Sequence, residues 1–170
     1  MSVAELAPLL QPSRVTASFT GGSPNTLWVT MARARPGEVQ NFSPDLLHDI
    51  GALHGALRDS GMMWPSAGIP QPVDYFVLRS AHPDYFSLGG DLNHFRECIH
   101  CNNRQALRDY SMQCADMVCD WAEQSTRTTT ISLVQGRALG GGFEAALASD
   151  YLIAEEQSEF GFPEILFGLF

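Results

Sequence analysis

The stretch ISLVQGRALGGGFEAAL, residues 131–147, contains the transition that decides the fold. It begins inside an apolar run, Thr129 to Val134, whose length and β-branched content are typical of a buried strand. Three glycines, 140–142, then open a short predicted helix from Phe143 to Ala148. Another apolar run, Tyr151 to Ala154, predicts the next strand. Because strands and helices alternate, this stretch predicts an α/β fold with parallel strands.

The same alternation continues towards the N-terminus. The first strand is predicted at Thr26 to Ala34, and Tyr75 to Leu78 is a further apolar run suited to a buried strand. Between them, residues 62–72 are rich in proline and glycine, which predicts a loop. Residues 1–25 lack sustained periodicity and are expected to form an N-terminal extension. The remainder, 26–170, has the length of a single domain.

Two longer helices are expected. Ser43 followed by Pro44 is typical of an N-cap with proline at the first helical position, and apolar residues continue at helical spacing until Gly61. Arg104 to Glu123 contains apolar residues without the alternation of a strand, so a long helix is predicted there.

Composition excludes several functional classes. The 170 residues carry a formal net charge of −9, which disfavours a broad surface for nucleic-acid phosphates. All ten basic residues are arginine, so catalysis by a lysine amine is excluded. The apolar runs are far shorter than the roughly 20 residues of a membrane-spanning helix. Because the N-terminus also lacks the features of a secretory signal, a cytoplasmic location is expected.

The four cysteines cluster in one part of the chain, at Cys98, Cys101, Cys114 and Cys119. In a cytoplasmic protein they are expected to be reduced thiols on a helix. With His94 nearby, zinc binding is the alternative, but a structural zinc site normally has a second ligand pair at defined spacing. No metal site is therefore predicted.

Two glycine-rich turns each follow a predicted strand, at 86–91 and at 136–144. Glycine permits positive φ and close approach, so both turns can present bare backbone N–H groups. Two such groups from separate turns would form an oxyanion hole for a developing enolate or tetrahedral oxygen. Taken singly, each turn is equally typical of an ordinary tight connection.

Two carboxylates lie close to these turns in the sequence. Glu144 is the third residue after Gly141 on the predicted short helix, and Glu164 follows Pro163, which stiffens its turn. A pair of carboxylates converging on one reacting group is suited to serve as base and acid. Glutamate is rarely buried, so the alternative for each is a solvated surface acid.

Together these segments resemble the crotonase (enoyl-CoA hydratase/isomerase) superfamily, and within it most closely the diffusible-signal-factor synthases, which make cis-2-unsaturated fatty acids. The matching stretches are FSLGGDLNHF (86–95), ISLVQGRALGGGFEAAL (131–147), IAEE (153–156) and PEILFGLF (163–170). The resemblance implies a crotonase-like ββα spiral core over 26–170. Members of the family continue with several C-terminal helices, so the resemblance also implies a core that is incomplete at its C-terminus.

The resemblance implies roles for individual residues. The N–H groups of the oxyanion hole correspond to Gly90, with Gly89 adjoining, and to Gly141. The acid and base correspond to Glu144 and Glu164. Residues beside these turns are expected to contact the substrate: Leu88, Leu139 and Gly140.

The implied reaction is dehydration of a 3-hydroxyacyl thioester, carried on acyl carrier protein or on CoA, to a 2-enoyl product. For a synthase of this type, hydrolysis of the thioester would then release a fatty acid signal. The resemblance implies no metal or redox cofactor, and an assembly of three or six copies.

Three other assignments are open. Gly140 to Ala145 also satisfies the loose dinucleotide-binding pattern, although that pattern normally lies early in a βαβαβ unit. Ser87 raises the possibility of a serine hydrolase, but the chain has no G-x-S-x-G motif, and a serine in a turn is typically a capping residue. The third is a non-catalytic module that binds an acyl thioester or a protein partner.

Overall fold

The computed structural model describes residues 14–123 and 127–168. The strands in this part of the chain are β1 (Val15–Thr20), β2 (Thr26–Met31), β3 (Met63–Ser66), β4 (Ile69–Pro72), β5 (Tyr75–Ser80), β6 (Tyr85–Ser87), β7 (Thr129–Val134), β8 (Arg137–Leu139), β9 (Tyr151–Ala154) and β10 (Glu159–Gly161). The helices are α1 (Pro44–Asp59), α2 (Leu92–His100), α3 (Arg104–Ala122), α4 (Gly141–Leu147) and a 3₁₀ helix (Pro163–Phe167).

The strands form two sheets and a hairpin. The larger sheet has the order β1-β2-β5-β7-β9, in which β1 is antiparallel to β2 and the other neighbours are parallel. The smaller sheet has the order β10-β8-β6 and is parallel throughout. A mixed α/β architecture with parallel sheets confirms the predicted fold class.

The core lies between the inner face of the larger sheet and the helices. Side chains of β2 alternate between buried and half-buried, because successive residues of a strand point to opposite faces. The buried set comes mainly from β2, β5 and α1: Leu27, Val29, Met31, Phe76, Leu78, Leu46, Leu47, Ile50, Leu53 and Leu57. Burying each of these large apolar side chains contributes about 1.5–3 kcal/mol.

The two longer predicted helices are confirmed. Ser43 caps α1, since its Oγ accepts the Leu46 N–H at 3.3 Å, and Pro44 occupies the first turn. The chain turns away after α1 at Gly61, whose φ of 67° suits glycine. The helix α3 covers the predicted range, ending one residue early at Ala122. No helix among the described residues is long and apolar enough to cross a bilayer.

Two sequence predictions about local structure are wrong. The sheet begins before residue 26, because β1 pairs with β2 along its whole length, from Val15↔Met31 to Thr20↔Thr26. The predicted loop at 62–72 contains the β3–β4 hairpin. Ala67 and Gly68 both have positive φ, 51° and 78°, which is the geometry of the tight turns that join two strands. Proline is tolerated there because each strand of a two-stranded ribbon has a free edge.

The smaller sheet brings together three segments that are far apart in sequence. Tyr85 in β6 and Glu159 in β10 both pair with Arg137 in β8. Since the three strands are parallel, their carboxyl ends lie at one edge of the sheet. The two glycine turns and the Pro163-Glu164 segment all follow these ends.

Candidate active site

The two glycine turns touch each other. Gly89 has a φ of 88°, and a Cβ placed on it would lie 2.9 Å from both the Gly141 nitrogen and the Leu139 oxygen. A Cβ on Gly142 would overlap the carbonyl oxygen of Ser87. Only glycine permits the two backbones to come this close. The glycines in the sequence are therefore explained by a contact between the two turns.

Two backbone donors are left unpaired at this contact. In the described part of the chain, neither the Gly90 N–H nor the Gly141 N–H donates to another group. The nitrogens are close together, because the Cβ position of Gly141 lies 3.7 Å from the Gly90 nitrogen. An unpaired N–H on the first turn of a helix, such as that of Gly141, is available to an external acceptor. Two adjacent donors of this kind can bind one oxygen.

Gly89, predicted to adjoin the oxyanion hole, offers no free N–H of its own. Its N–H donates to Ser87 Oγ at 3.2 Å, so it is not available to a ligand. Gly89 contributes a positive φ and the absence of a side chain. Ser87 is buried and acts as a turn cap, as expected of a serine in this position.

Glu144 lies on the first turn of α4 and is exposed to solvent. Its Oε2 lies 3.9 Å from the Cβ position of Gly141, next to one of the two donors. A carboxylate held in this position can exchange a proton with a group bound at the unpaired amides.

Glu164 lies on the first turn of the 3₁₀ helix, directly after Pro163. Its carboxylate packs against Gly140 so closely that a Cβ on Gly140 would overlap Oε1. The other oxygen, Oε2, is buried and has no hydrogen-bond partner among the described residues. An unpaired buried carboxylate oxygen costs free energy, and such groups in native proteins are commonly associated with function.

A cleft of about 590 Å³ opens beside Gly90, Gly141 and Glu144. Its largely apolar walls come from α2, α3 and the segment before α1, through Phe42, Phe95, Ser111, Cys114, Met117 and Val118. Burial raises the pKa of the Cys114 thiol, so this group is uncharged at neutral pH. The cleft is suited to an apolar group whose polar end reaches the glycine turns.

Sequence reasoning missed these wall residues. Ser111, Cys114 and Val118 do recur at helical spacing, but nothing local to α3 specifies which of its faces meets the glycine turns. Conversely, the predicted substrate contacts Leu88, Leu139 and Gly140 do not line this cleft, and neither does Glu164. That Leu88, Leu139 and Gly140 contact the substrate stays a prediction.

The alternative sites gain no support from the geometry. In residues 14–123 and 127–168, no three His, Cys, Asp or Glu side chains are grouped as metal ligands. Cys98 Sγ lies 3.5 Å from His94 Nε2, and all four cysteines are free. The Gly140 turn follows a strand of the smaller sheet, and the Glu164 carboxylate lies against it, where a dinucleotide phosphate would be repelled.

The fold and the paired glycine turns are those of a crotonase-type α/β protein. The model of the enoyl-CoA hydratase/isomerase family matches residues 70–170, which is more than half of the chain. The chain therefore belongs to the enoyl-CoA hydratase/isomerase family.

Individual relatives agree with this assignment. The chain is 32% identical over 95 residues to the fatty acid oxidation complex subunit alpha of Aliivibrio fischeri, covering 55% of this chain and 13% of that protein. It is 46% identical over 56 residues to a probable enoyl-CoA hydratase of Mycobacterium tuberculosis, covering 32% and 22%.

Among solved structures, Pseudomonas aeruginosa DspI matches with a TM-score of 0.69 and 25% identity. That match covers 92% of this chain and 55% of DspI. The chain therefore spans about half the length of this solved structure and a smaller share of the curated relatives.

Proposed function

We propose that this chain carries an acyl-thioester site of enoyl-CoA hydratase type. The N–H groups of Gly90 and Gly141 bind the thioester carbonyl oxygen, and Glu144 and Glu164 move the protons. The observation that carries the proposal is the pair of unpaired N–H groups, which a glycine contact holds side by side. The family membership supports the same chemistry.

The reaction follows from what such a pair of donors stabilises. When a carboxylate removes the α-proton of a 3-hydroxyacyl thioester, negative charge develops on the carbonyl oxygen, and two aimed N–H groups lower the energy of that enolate. The second glutamate, in its protonated form, gives its proton to the departing β-hydroxyl. One C–H and one C–O bond break, a C=C bond forms, and water leaves. In the reverse direction the same groups hydrate an enoyl thioester.

The identity of the substrate and of the released product is also a proposal. The substrate is a 3-hydroxyacyl group on CoA or acyl carrier protein, and hydrolysis of the thioester follows to release a free fatty acid. Support comes from the resemblance to diffusible-signal-factor synthases and from the apolar cleft, which suits an acyl chain. An assembly of three or six copies in the cytoplasm is expected for such an enzyme.

The test replaces each glutamate by its neutral isostere. Glu144→Gln and Glu164→Gln are each expected to lower the rate of interconversion of 3-hydroxyacyl-CoA and enoyl-CoA by about 10²- to 10⁴-fold, because each removes a proton carrier. The rate is measured from the ultraviolet absorbance of the enoyl thioester. Release of free CoA, followed with a thiol reagent, reports hydrolysis separately, and the acyl-carrier-protein substrate is compared in parallel.

Glu156→Gln is the matched control, since Glu156 is an exposed glutamate that lies between Glu144 and Glu164 in the sequence. It is expected to keep the wild-type rate. Wild-type turnover in both glutamine variants would contradict the proposal. Tight binding of acyl-CoA by a wild-type chain that turns over none of these substrates would indicate the non-catalytic binding module instead.

A further inference from the structure

Tyr110 on α3 is buried, with 2% of its surface exposed. Its hydroxyl donates to the Phe42 carbonyl oxygen at 2.6 Å and accepts the Asp91 N–H at 2.6 Å. Asp91 directly follows the Gly89-Gly90 turn, and Phe42 belongs to the segment before α1 that pairs with Gly90. One side chain therefore ties α3 to both sides of the turn that carries a proposed oxyanion donor.

The backbone of Phe42 continues this connection to the donor itself. The Phe42 N–H donates to the Gly89 carbonyl oxygen at 2.8 Å. That carbonyl and the Gly90 N–H belong to the same peptide group, which is planar and trans, so they point in opposite directions. Holding the Gly89 oxygen on Phe42 thus directs the Gly90 N–H away from Phe42.

The next peptide group is held directly. Asp91 N–H, bound by the Tyr110 hydroxyl, lies one residue after Gly90, so the turn is anchored before and after the donor. Tyr110 also packs on the donor residue, because its hydroxyl oxygen lies 3.6 Å from the Cβ position of Gly90. Burial raises the pKa of Tyr110 far above its usual value, so the hydroxyl keeps the proton that it donates to Phe42.

We propose that Tyr110 is a positioning residue that aims the Gly90 N–H at the thioester oxygen. This inference rests on the proposed function, which it deepens. Tyr110 acts through Phe42 and Asp91 and makes no contact with the reacting atoms. Its hydroxyl is expected to matter when charge develops on the oxygen, and much less when the neutral substrate binds.

Tyr110→Phe tests the inference, since it removes the hydroxyl and keeps the ring. The expected result is a fall in kcat of about tenfold to hundredfold with KM nearly unchanged, because a misdirected donor loses part of the 10²- to 10³-fold effect of an oxyanion-hole group. In the same 170-residue chain without substrate, hydrogen exchange of the Asp91 and Phe42 amides is expected to accelerate at least tenfold.

Thr128→Val is the matched control. Thr128 is also buried and donates its hydroxyl to a backbone carbonyl, that of Val73, at 2.7 Å, but it lies before β7 and away from the glycine turns. This variant is expected to lose a comparable amount of stability while kcat and the exchange of both amides stay at wild-type values.

The outcomes separate the two proposals. Equal effects of Tyr110→Phe and Thr128→Val on kcat and on amide exchange would overturn the positioning role. Accelerated exchange with unchanged kcat would overturn it as well, because the donor would then not depend on the anchored turn. A wild-type chain without turnover would contradict the proposed function and, with it, the role of Tyr110 in aiming a donor at the thioester. Amide exchange is measured without substrate, so accelerated exchange in Tyr110→Phe would then still show that the hydroxyl anchors the turn.

Discussion

At the scale of the residue, His54 has an environment that a histidine rarely occupies. It is 3% exposed, stacked on Trp121 at 5.3 Å and in edge contact with Phe76 at 5.4 Å. Both ring nitrogens are buried without a hydrogen-bond partner among the described residues. Burial lowers its pKa from 6.5 to about 4, against the attraction of Asp120 and with a small contribution from Arg58. The folded chain therefore holds a neutral imidazole.

This pKa predicts a loss of stability in mild acid. Between pH 6.5 and pH 4 the unfolded chain takes up a proton on His54 that the folded chain does not, so the stability present above pH 6.5 falls as the pH falls. At 1.36 kcal/mol per pKa unit, the loss between pH 7 and pH 5 is about 2 kcal/mol. Urea unfolding at the two pH values measures it.

Two variants isolate the histidine. His54→Leu removes the titrating group and is expected to reduce the difference in unfolding free energy between pH 7 and pH 5 by about 2 kcal/mol. His48→Gln, on the exposed side of α1, is the control for replacing a histidine of the same helix, because an exposed side chain contributes little to the unfolding free energy. The same difference in wild type and His54→Leu would show that another group titrates.

At the scale of the element, the start of α4 determines how closely the two glycine turns approach. Gly141 and Gly142 are neighbours in sequence but meet different surroundings. A Cβ on Gly141 would make only ordinary contacts, the nearest at 3.7 Å, whereas a Cβ on Gly142 would overlap the Ser87 carbonyl oxygen. The helix is therefore packed tightly against the end of β6 at Gly142 but not at Gly141.

Alanine substitution should distinguish the two positions. Gly142→Ala is expected to destabilise the fold by about 1–3 kcal/mol, because α4 must move away from β6 to admit the methyl group. Gly141→Ala is expected to leave stability unchanged or to raise it by up to about 1 kcal/mol, since alanine is a better helix former than glycine. Urea unfolding midpoints measure both. Equal midpoints for the two variants would mean that α4 is free to shift.

At the scale of the whole molecule, the apolar residues are distributed unevenly. The core is close-packed, and Leu53 within it is 0% exposed. Towards the C-terminus, β9, β10, Phe162 and the 3₁₀ helix carry exposed apolar side chains instead: Tyr151, Ile153, Phe160, Phe162, Ile165 and Leu166. An exposed apolar side chain contributes little to the stability of the fold, because it stays in contact with water.

Replacing a leucine of the core and an exposed leucine near the C-terminus should show that only the core leucine stabilises this fold. Leu53→Ala is expected to cost about 2–5 kcal/mol of unfolding free energy, because it leaves a cavity in the core. Leu166→Ser is expected to change the unfolding free energy by less than about 0.5 kcal/mol, since 81% of Leu166 is already exposed. It should instead lower the fluorescence of a bound apolar dye. A large loss of stability in Leu166→Ser would contradict this division.

Local pattern was sufficient for much of the fold. The strand at Thr129–Val134 and the capped start of α1 at Ser43 could be predicted because periodicity and capping residues act over a few neighbouring positions. The glycine turns and the two glutamates could be singled out in the sequence, but their assignment to one site came from the resemblance to the crotonase superfamily, and their roles stay predictions.

Only the tertiary structure decided how these parts meet. The pairing of β6, β8 and β10 brings the three turns to one edge, but strands of three residues carry too little periodicity to be predicted. Ser87 Oγ accepts the N–H of Gly89, whereas the N–H groups of Gly90 and Gly141 have no acceptor among the described residues. The bond from Tyr110 to Phe42 joins positions 68 residues apart. Contacts of this kind depend on the packing of distant segments, which local sequence pattern does not encode.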